Sequence, residues 1–251
     1  MKPLLSFLRF EVGRLLRNWK FLAITVGFPV VFYALFLHDR SPAKVVDNTV
    51  PWRIYLMVSM CSFAALVAGL NAGGSRLSAE RASGWARQLR ITPIPGWSFV
   101  VTKVSATMLV ILPVLIPVEI VGASVGGVHL RPGMWVELTV LLWVTALPLA
   151  ILGVLVGFLV HQETAYPVVT ALMFVVGYFG GLFNPVSTMP AALRAVARIL
   201  PSYHAQSLGL SVLDGRGPAP SDVLVLAGYA VVLGAAVVVH KRWRPSLRRR
   251  G

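Results

Sequence analysis

Charged residues are scarce in this sequence, and their scarcity excludes an ordinary soluble domain. Only 13% of the 251 residues are charged and 57% are hydrophobic, whereas roughly a quarter of a soluble domain is charged. A chain of this length cannot bury so much apolar surface in one aqueous core. A lipid bilayer removes that constraint, so the composition predicts an integral membrane protein.

Cysteine and metal-binding clusters are also lacking. Cys61 is the only cysteine, which excludes an intrachain disulfide and a cysteine-based metal site. The five histidines are scattered along the chain, and His161 and Glu163 share a turn without a third ligand nearby. We therefore expect no metal and no catalytic centre in this chain. We also expect no cleavable signal peptide, because five lysines and arginines occupy the first 20 residues and no cleavage site follows them.

A nucleotide-binding P-loop is missing as well. That motif needs a lysine directly after a glycine, so that the ammonium group reaches the β- and γ-phosphates. The five lysines follow Met, Trp, Ala, Thr and His, never Gly. If the chain works with ATP, the ATP and its Mg²⁺ must bind to a separate ATPase chain.

Six apolar stretches are each long enough to cross a bilayer as a helix, which takes roughly 17–25 residues. Five of them are free of charge, and the third is interrupted only by Glu119. The sequence therefore predicts an all-α integral membrane protein with six transmembrane helices in a single domain, 1–251. The predicted spans are 21–37, 54–70, 104–128, 138–160, 165–183 and 223–239.

Basic residues are distributed unevenly between the predicted spans. Of the 23 lysines and arginines, 16 lie on the side that holds both termini. Because cytoplasmic loops carry the excess of Lys and Arg, we expect both termini in the cytoplasm and the chain in the bacterial inner membrane. The formal net charge of +14 is then expected to meet anionic membrane lipids and not nucleic acid.

Two segments outside the spans have features of their own. The first is 1–20. On a helical wheel, residues 2–20 separate a basic sector from an apolar one, with Trp19 near the end; Glu11 is the exception, since it falls in the apolar sector. This is typical of an amphipathic helix in the plane of the interface, and we interpret it as a cytoplasmic elbow helix. The longest loop, 184–222, contains five prolines. Within it, 191–200 has helical periodicity, so we expect a re-entrant loop whose short helix dips into the outer leaflet.

The loop between the second and third spans, 72–98, is the most informative segment. We expect a short cytoplasmic helix that is capped by Ser75 or Ser78 and carries Glu80 near its start. Gly84 is expected to break this helix, and Pro93 to stop it before the next span. A charged helix held between two spans can transmit force to both of them.

In this loop, Glu80 and Arg81 are followed by Gly84 and then by Leu89, Arg90, Thr92 and Pro93. This pattern resembles the cytoplasmic coupling segment of ABC-2 type transporter permeases. The resemblance implies that the segment docks on an ATP-binding-cassette ATPase subunit, and that the chain pairs with a second permease copy or a paralogue. It implies further that short helices in the proline-marked loop narrow the outer exit. The coupling residues are then Glu80, Arg81, Gly84, Leu89, Arg90, Thr92 and Pro93, and the outer gate residues are Asn184, Pro185, Pro190 and Pro201. In this interpretation Glu80→Arg uncouples hydrolysis from transport while the protein stays folded.

Two alternatives for the function stay open. The first is the permease of an exporter that moves an amphipathic drug, natural product or lipid-linked molecule. The second is a proton-coupled secondary transporter that uses Glu119, since a carboxyl group in hydrocarbon is costly and often functional. Aromatic residues in the first and fifth spans either line a substrate path or a dimer seam, or pack as anchors. The candidate path residues are Phe32, Tyr33, Phe36, Glu119, Phe174, Tyr178 and Phe179.

Overall fold

The computed structural model describes residues 9, 12–14, 17–39, 45–46, 50–83, 96–213 and 217–247. These residues are mostly helical. In chain order the elements are α1 (Trp19–Asp39), β1 (Val45–Val46), β2 (Val50–Pro51), α2 (Trp52–Leu70), a π-helical segment (Asn71–Ser75), α3 (Arg76–Ala82), α4 (Gly96–Ser124), α5 (Pro132–Thr145), α6 (Leu147–Leu159), α7 (Gln162–Phe179), a 3₁₀ turn (Val186–Thr188), α8 (Ala191–Ala197), α9 (Pro201–Leu213) and α10 (Pro220–Leu247).

Helix α2 is the centre of the bundle. It is apolar on all sides, and 89% of the residues in its most apolar stretch are buried, as expected for a helix without a polar face. It packs against α1, α4 and α6. Only 22% of the corresponding stretch in α1 and 11% of that in α10 are buried. These two helices therefore leave large apolar surfaces for lipid or for a second chain.

Among the described residues, five helical stretches are long and apolar enough to cross a membrane. They are Phe21–His38, Trp52–Ala82, Ser98–Ser124, Pro132–Leu159 and Pro220–His240. Helix α7, which corresponds to the predicted span 165–183, is not among them, because its first turn carries the polar residues Gln162, Glu163 and Thr164. The multi-pass, all-α architecture is thus confirmed, whereas the count of six spans stays a prediction.

The two ends of the bundle are formed by different segments of the chain. At one end, the arm end, α3 meets Arg14, Lys103 in α4 and the last turn of α6. The C-terminal half of α10 also lies there, since its Val237 belongs to the apolar cluster of Leu77. At the other end, the loop end, lie the short β1–β2 hairpin, α8 and α9. The start of α1 and the C-terminal half of α10 therefore share one end of the molecule.

Several helix bounds differ from the predicted ones. The second span does not stop at 70 but continues through the π-helical segment into α3, as one helical stretch of 31 residues. Ser75 has helical backbone angles (φ −55°, ψ −43°) and caps nothing, and the Ser78 hydroxyl donates to the Ser75 carbonyl at 2.9 Å. The expected capped start of a separate helix is therefore wrong, because no residue here leaves the helical region.

Two other spans differ in their bounds. Helix α4 begins at Gly96 and not at 104, so it starts within the predicted loop 72–98 and includes the residues between that loop and the predicted span. The fourth span, predicted as unbroken over 138–160, is interrupted between α5 and α6 at Ala146. Pro148 follows this break, and proline cannot donate the backbone hydrogen bond that would continue the preceding helix.

Among the described residues of the loop 184–222, three helical pieces precede α10, and each of them begins next to a proline. Pro185 precedes the 3₁₀ turn, Pro190 precedes α8, and Pro201 is the first residue of α9. Proline is favoured at such starts because its missing N–H would be unpaired there in any case. The expected helix at 191–200 is α8, which ends at Ala197. Helix α9, which was not predicted, packs against α5, α2 and α10.

Candidate functional site

The arm, defined as the π-helical segment with α3 and Ser83 (71–83), rests backbone to backbone on α6. A Cβ atom added to Gly73 would lie 2.6 Å from the backbone nitrogen of Val154. A Cβ on Gly153 or Gly157 would clash with the carbonyl oxygens of Gly69 and Gly73. Small residues let membrane helices approach in this way, so the arm and α6 are held together as one rigid pair.

The glycines of this contact have a spacing that the sequence displays. Gly69 and Gly73 are four residues apart on one helix, and Gly153 and Gly157 are four apart on the other. Glycine at this spacing is a known signature of close helix packing in membranes. The sequence interpretation did not single these glycines out, although their spacing was the signal that could have revealed them.

The carboxylate of Glu80 joins three parts of the chain. It accepts hydrogen bonds from Arg14 Nη2, from Lys103 Nζ, and from Arg76 Nε at 3.4 Å. Arg14 precedes α1, Arg76 lies one turn back in α3, and Lys103 lies in the second turn of α4. The Glu80 side chain is only 8% exposed and that of Lys103 only 5%, so little water competes for these ion pairs.

The burial of Glu80 changes the predicted role of this residue. Its carboxylate points into the bundle and is occupied by three cations of the same chain. Glu80→Arg would place a fourth cation among these three in a poorly hydrated space, which is strongly unfavourable. The structure therefore predicts that this variant is destabilised, in contrast to the expectation from the sequence that it stays folded. The Glu80 carboxylate positions the arm.

Arg81 fixes the other face of α3. Its Nη1 atom donates to the carbonyl oxygens of Gly157, at 2.8 Å, and Phe158, at 2.5 Å. These carbonyls belong to the last turn of α6, where the helix itself leaves them unpaired and where a cation is favourable. The guanidinium group also lies 5.9 Å from the centre of the Phe158 ring. Arg81 thus ties the arm to the end of α6.

The remaining coupling residues lie outside the described part of the chain. Ala82 and Ser83 are the last described residues of the arm, and both are exposed. Gly84, Leu89, Arg90, Thr92 and Pro93 follow within 84–95, so their predicted contacts stay predictions.

An aromatic cavity of about 280 Å³ opens between α1 and α7, near the loop end. Four of the predicted path residues line it: Phe32, Phe36, Phe174 and Tyr178. Phe174 and Tyr178 are 46% and 48% exposed, so the cavity faces outward from the bundle. Trp52 and Phe183 also line it; sequence reasoning missed Trp52 because it stands at the very start of α2, outside the predicted span.

The other predicted path residues lie elsewhere. Tyr33 is fully buried, and its hydroxyl group donates to the carbonyl oxygen of Arg53 at 3.3 Å. Phe179 packs edge to face on Tyr178 but does not line the aromatic cavity. Because neighbouring helical residues point in different directions, the six aromatic residues cannot all share one surface. Fewer of the predicted aromatic residues therefore line one surface than the sequence suggested.

Glu119 is also separate from the aromatic cavity. It lies in α4 and is 7% exposed, and the Thr139 hydroxyl of α5 lies 2.8 and 3.0 Å from its two carboxylate oxygens. None of the residues lining the aromatic cavity is Glu119. The structure thus pairs Glu119 with a polar neighbour on α5 and does not bring it to the predicted path.

The predicted gate residues lie in a loop end that is rich in polar contacts. Asn184 lines the aromatic cavity, next to the positive-φ residue Gly181 (φ +85°). Gly181 accepts a 2.6 Å hydrogen bond from the hydroxyl group of Tyr55 in α2. His204 in α9 pairs with Asp222 in α10 at 2.7 Å, and both are buried. These bonds fasten α9 and the gate loop to the bundle.

The apolar helices, the arm and the aromatic cavity define a multi-pass helical membrane protein with an internal arm locked to its central helices. A family model described as "ABC-2 family transporter protein" matches residues 41–239. The chain therefore belongs to the ABC-2 transporter family and is a membrane transport permease, which confirms the resemblance found in the loop sequence. Members of this family normally work with ATPase subunits.

A similar protein supports this assignment. The chain is 27% identical over 226 residues to the Bacillus subtilis (strain 168) protein named "Putative transport permease YvfS". The match covers 88% of this chain and 90% of that protein. The similarity therefore extends over nearly the whole permease and is not limited to one motif.

Proposed function

We propose that this chain is the transmembrane subunit of an ATP-driven exporter in the bacterial inner membrane. In this proposal it crosses the membrane six times, with α7 as the fifth span, and its arm end faces the cytoplasm. A separate ATPase binds and hydrolyses ATP with Mg²⁺. The observation that carries the proposal is the arm itself, which continues the central helix and is pinned to three other segments through Glu80 and Arg81.

The arm would act as a lever between the ATPase and the spans. An ATPase that contacts 84–95, where Gly84, Leu89, Arg90, Thr92 and Pro93 lie, would push on the exposed end of the arm at Ser83. The glycine contact with α6 and the ion pairs of Glu80 leave little room for independent sliding. A push would therefore move α2, α4 and α6 together.

The aromatic cavity would form one wall of the substrate path. It lies on an exposed face between α1 and α7, and a cavity of about 280 Å³ is small for a drug-sized ligand. A second permease copy or a paralogue facing this surface would supply the opposite wall. Aromatic walls with Asn184 at the rim suit an amphipathic substrate such as a drug, a natural product or a lipid-linked molecule. The gate loop with Pro185, Pro190 and Pro201 would close its outer end.

The alternative is a proton-coupled transporter that uses Glu119. The observation that favours it is the burial of this carboxyl group within an apolar helix, where ionisable groups are often functional. The arm argues against this alternative, because proton coupling requires no contact with an ATPase.

The two functions are separated by purifying the tagged chain with its co-purifying proteins and measuring ATP hydrolysis and transport in lipid vesicles. The ATP-driven proposal expects a P-loop ATPase in the complex. It also expects Arg81→Gln to lower transport by about fivefold or more while hydrolysis continues. The variant loses the charge-assisted hydrogen bonds from Arg81 to the carbonyl oxygens of Gly157 and Phe158 in α6. Arg131→Gln, at the loop end, is the matched control. Transport by the chain alone, driven by a proton gradient and abolished by Glu119→Gln, would overturn the proposal.

A further inference from the structure

A large basic cavity opens at the arm end, between the N-terminal residues and the arm. It has a volume of about 1010 Å³ and is open to its surroundings on one side. Neither the glycine contact nor the aromatic cavity involves it. The described residues that line it include Arg9, Arg14, Arg17, Phe21, Ser75 and Arg76.

The charges around this basic cavity are unbalanced. Four arginines line it, and none of the described lining residues is acidic. Glu80, which lies behind it, already pairs with Arg14, Arg76 and Lys103. Arg9 and Arg17, which also line the basic cavity, form no ion pair among the described residues. Bringing so many like charges together is costly unless an anion joins them.

The geometry of the basic cavity also suits an anion with oxygen atoms. Arg14 and Arg76 are held in place by their bonds to Glu80, whereas Arg9 and Arg17 are exposed. The Ser75 hydroxyl oxygen is buried, and it has no hydrogen-bond partner among the described residues. Guanidinium groups form paired hydrogen bonds with phosphate oxygens, and a serine hydroxyl group adds a further donor.

The position of the basic cavity, at the start of the apolar stretch of α1, favours a membrane lipid as the source of the anion. It lies where the apolar stretch of α1 begins at Phe21, which is itself a lining residue. Trp19, two residues earlier, is 70% exposed, and tryptophan is enriched at the level of the lipid head groups. A phospholipid could therefore place its phosphate among the arginines and its acyl chains along α1.

We propose that this basic cavity binds a phosphate group, namely that of an anionic phospholipid head group held between the N-terminal segment and the arm. Such a lipid would bridge Arg9 and Arg17 on one side to Ser75 and Arg76 on the other. It would thereby stabilise the position of the arm against α1. This inference does not depend on an ATPase partner.

The test measures binding to the full-length protein in a neutral detergent. Fluorescent phosphatidylglycerol and phosphatidylcholine in mixed micelles are the lipid probes, and inorganic phosphate is the soluble competitor. The double variant Arg9→Gln/Arg17→Gln removes two exposed cations of the basic cavity and leaves the bonds of Glu80 in place. The double variant Arg131→Gln/Arg198→Gln removes two exposed cations of the loop end and has the same net charge.

The expected result is that the protein binds phosphatidylglycerol in preference to phosphatidylcholine. The cavity variant should bind it about tenfold more weakly, because charge-assisted bonds are lost, and the loop-end variant should bind it like the unaltered protein. Displacement by millimolar phosphate would assign the site to a soluble phosphate compound. Equal binding of both lipids without a response to phosphate, or equal weakening in the two variants, would overturn the proposal. Either failure would leave the ATP-driven function untouched.

Discussion

Glu80 shows how one buried carboxylate can organise the end of a helical bundle. It neutralises cations from the N-terminal segment, the arm and α4 within a space that water scarcely reaches. Removing one member of such a buried group leaves charges without compensation, which costs more than the intact pairs contribute. The local consequence is a single position for the arm relative to α4.

This arrangement predicts that Glu80→Gln destabilises the protein. Buried Lys103 would lose the carboxylate of Glu80, and we expect a loss of about 3 kcal/mol in the free energy of unfolding, measured as a lowered unfolding temperature in detergent. Glu163→Gln, at an exposed position in the first turn of α7, is the control. The double variant Glu80→Gln/Lys103→Gln should be less destabilised than the single one. Equal unfolding temperatures of Glu80→Gln and the unaltered protein would refute the buried-cluster account.

The residue scale is also where sequence reasoning was least complete. The sequence placed Glu80 and Arg81 in a force-transmitting loop, yet it could not tell that both side chains point inward. Their directions depend on Arg14 and Lys103, which are far away along the chain and come close only after folding. Four of the six predicted path aromatics share a cavity, because residues three or four apart along a helix lie on one face.

At the scale of elements, the contact between the arm and α6 holds the arm rigidly against the bundle. Glycines at the contact bring the two backbones within touching distance, and Arg81 adds hydrogen bonds at the end of α6. A π-helical segment accommodates the same contact, as such segments often do at functional positions. The arm therefore behaves as part of the bundle and not as a loose loop.

This contact predicts that a methyl group added at the arm–α6 contact lowers the stability of the protein, whereas one added on an open helix face does not. Gly153→Ala should lower the unfolding temperature and the yield of folded protein, because its Cβ would meet the carbonyl of Gly69; overpacking of this kind costs roughly 1–3 kcal/mol. Gly228→Ala, on α10, meets nothing within 4 Å and should be neutral or slightly stabilising. If both variants unfold alike, the close approach of the arm and α6 is wrong.

The elements were more predictable than their bounds. Long apolar runs foretold the helices, because backbone groups in lipid must bond within their own segment. The continuation of α2 to Ala82 was missed, since the polar and glycine residues at 71–75 indicated a loop. The helix persists there because the packing of α6 against Gly73 outweighs the weak helix propensity of glycine.

At the scale of the whole molecule, the chain separates two kinds of surface. The arm end contains the arm and the basic cavity, whereas the loop end contains the aromatic cavity and the proline-marked loop. In the proposed transporter, the arm end receives the ATPase and the loop end releases the substrate. The continuous helical stretch Trp52–Ala82, made of α2, the π-helical segment and α3, connects the two ends, with Trp52 at the aromatic cavity and Ala82 near the tip of the arm.

The aromatic cavity predicts residues that transport needs but folding does not. Phe174→Ala and Tyr178→Ala should each reduce transport by about fivefold to tenfold, since an aromatic contact with a substrate is worth roughly 1 kcal/mol or more. Their unfolding temperatures should change little, because both rings are about half exposed. Tyr166→Ala, on an exposed part of the same helix, serves as the control. Unchanged transport in both cavity variants would exclude this surface as the path.

The central claim, that the tip of the arm meets an ATPase, is tested most directly by site-specific crosslinking. With Cys61 replaced by alanine, a cysteine is introduced by Ser83→Cys at the tip of the arm, or by Ala191→Cys at the loop end, in the co-purified complex. The account predicts that a short thiol-reactive crosslinker joins the Ser83→Cys chain to a P-loop ATPase, and that ATP changes the yield. It predicts no such product with Ala191→Cys. An intact complex that shows no crosslink from Ser83→Cys, or an equal yield from both positions, would contradict the account.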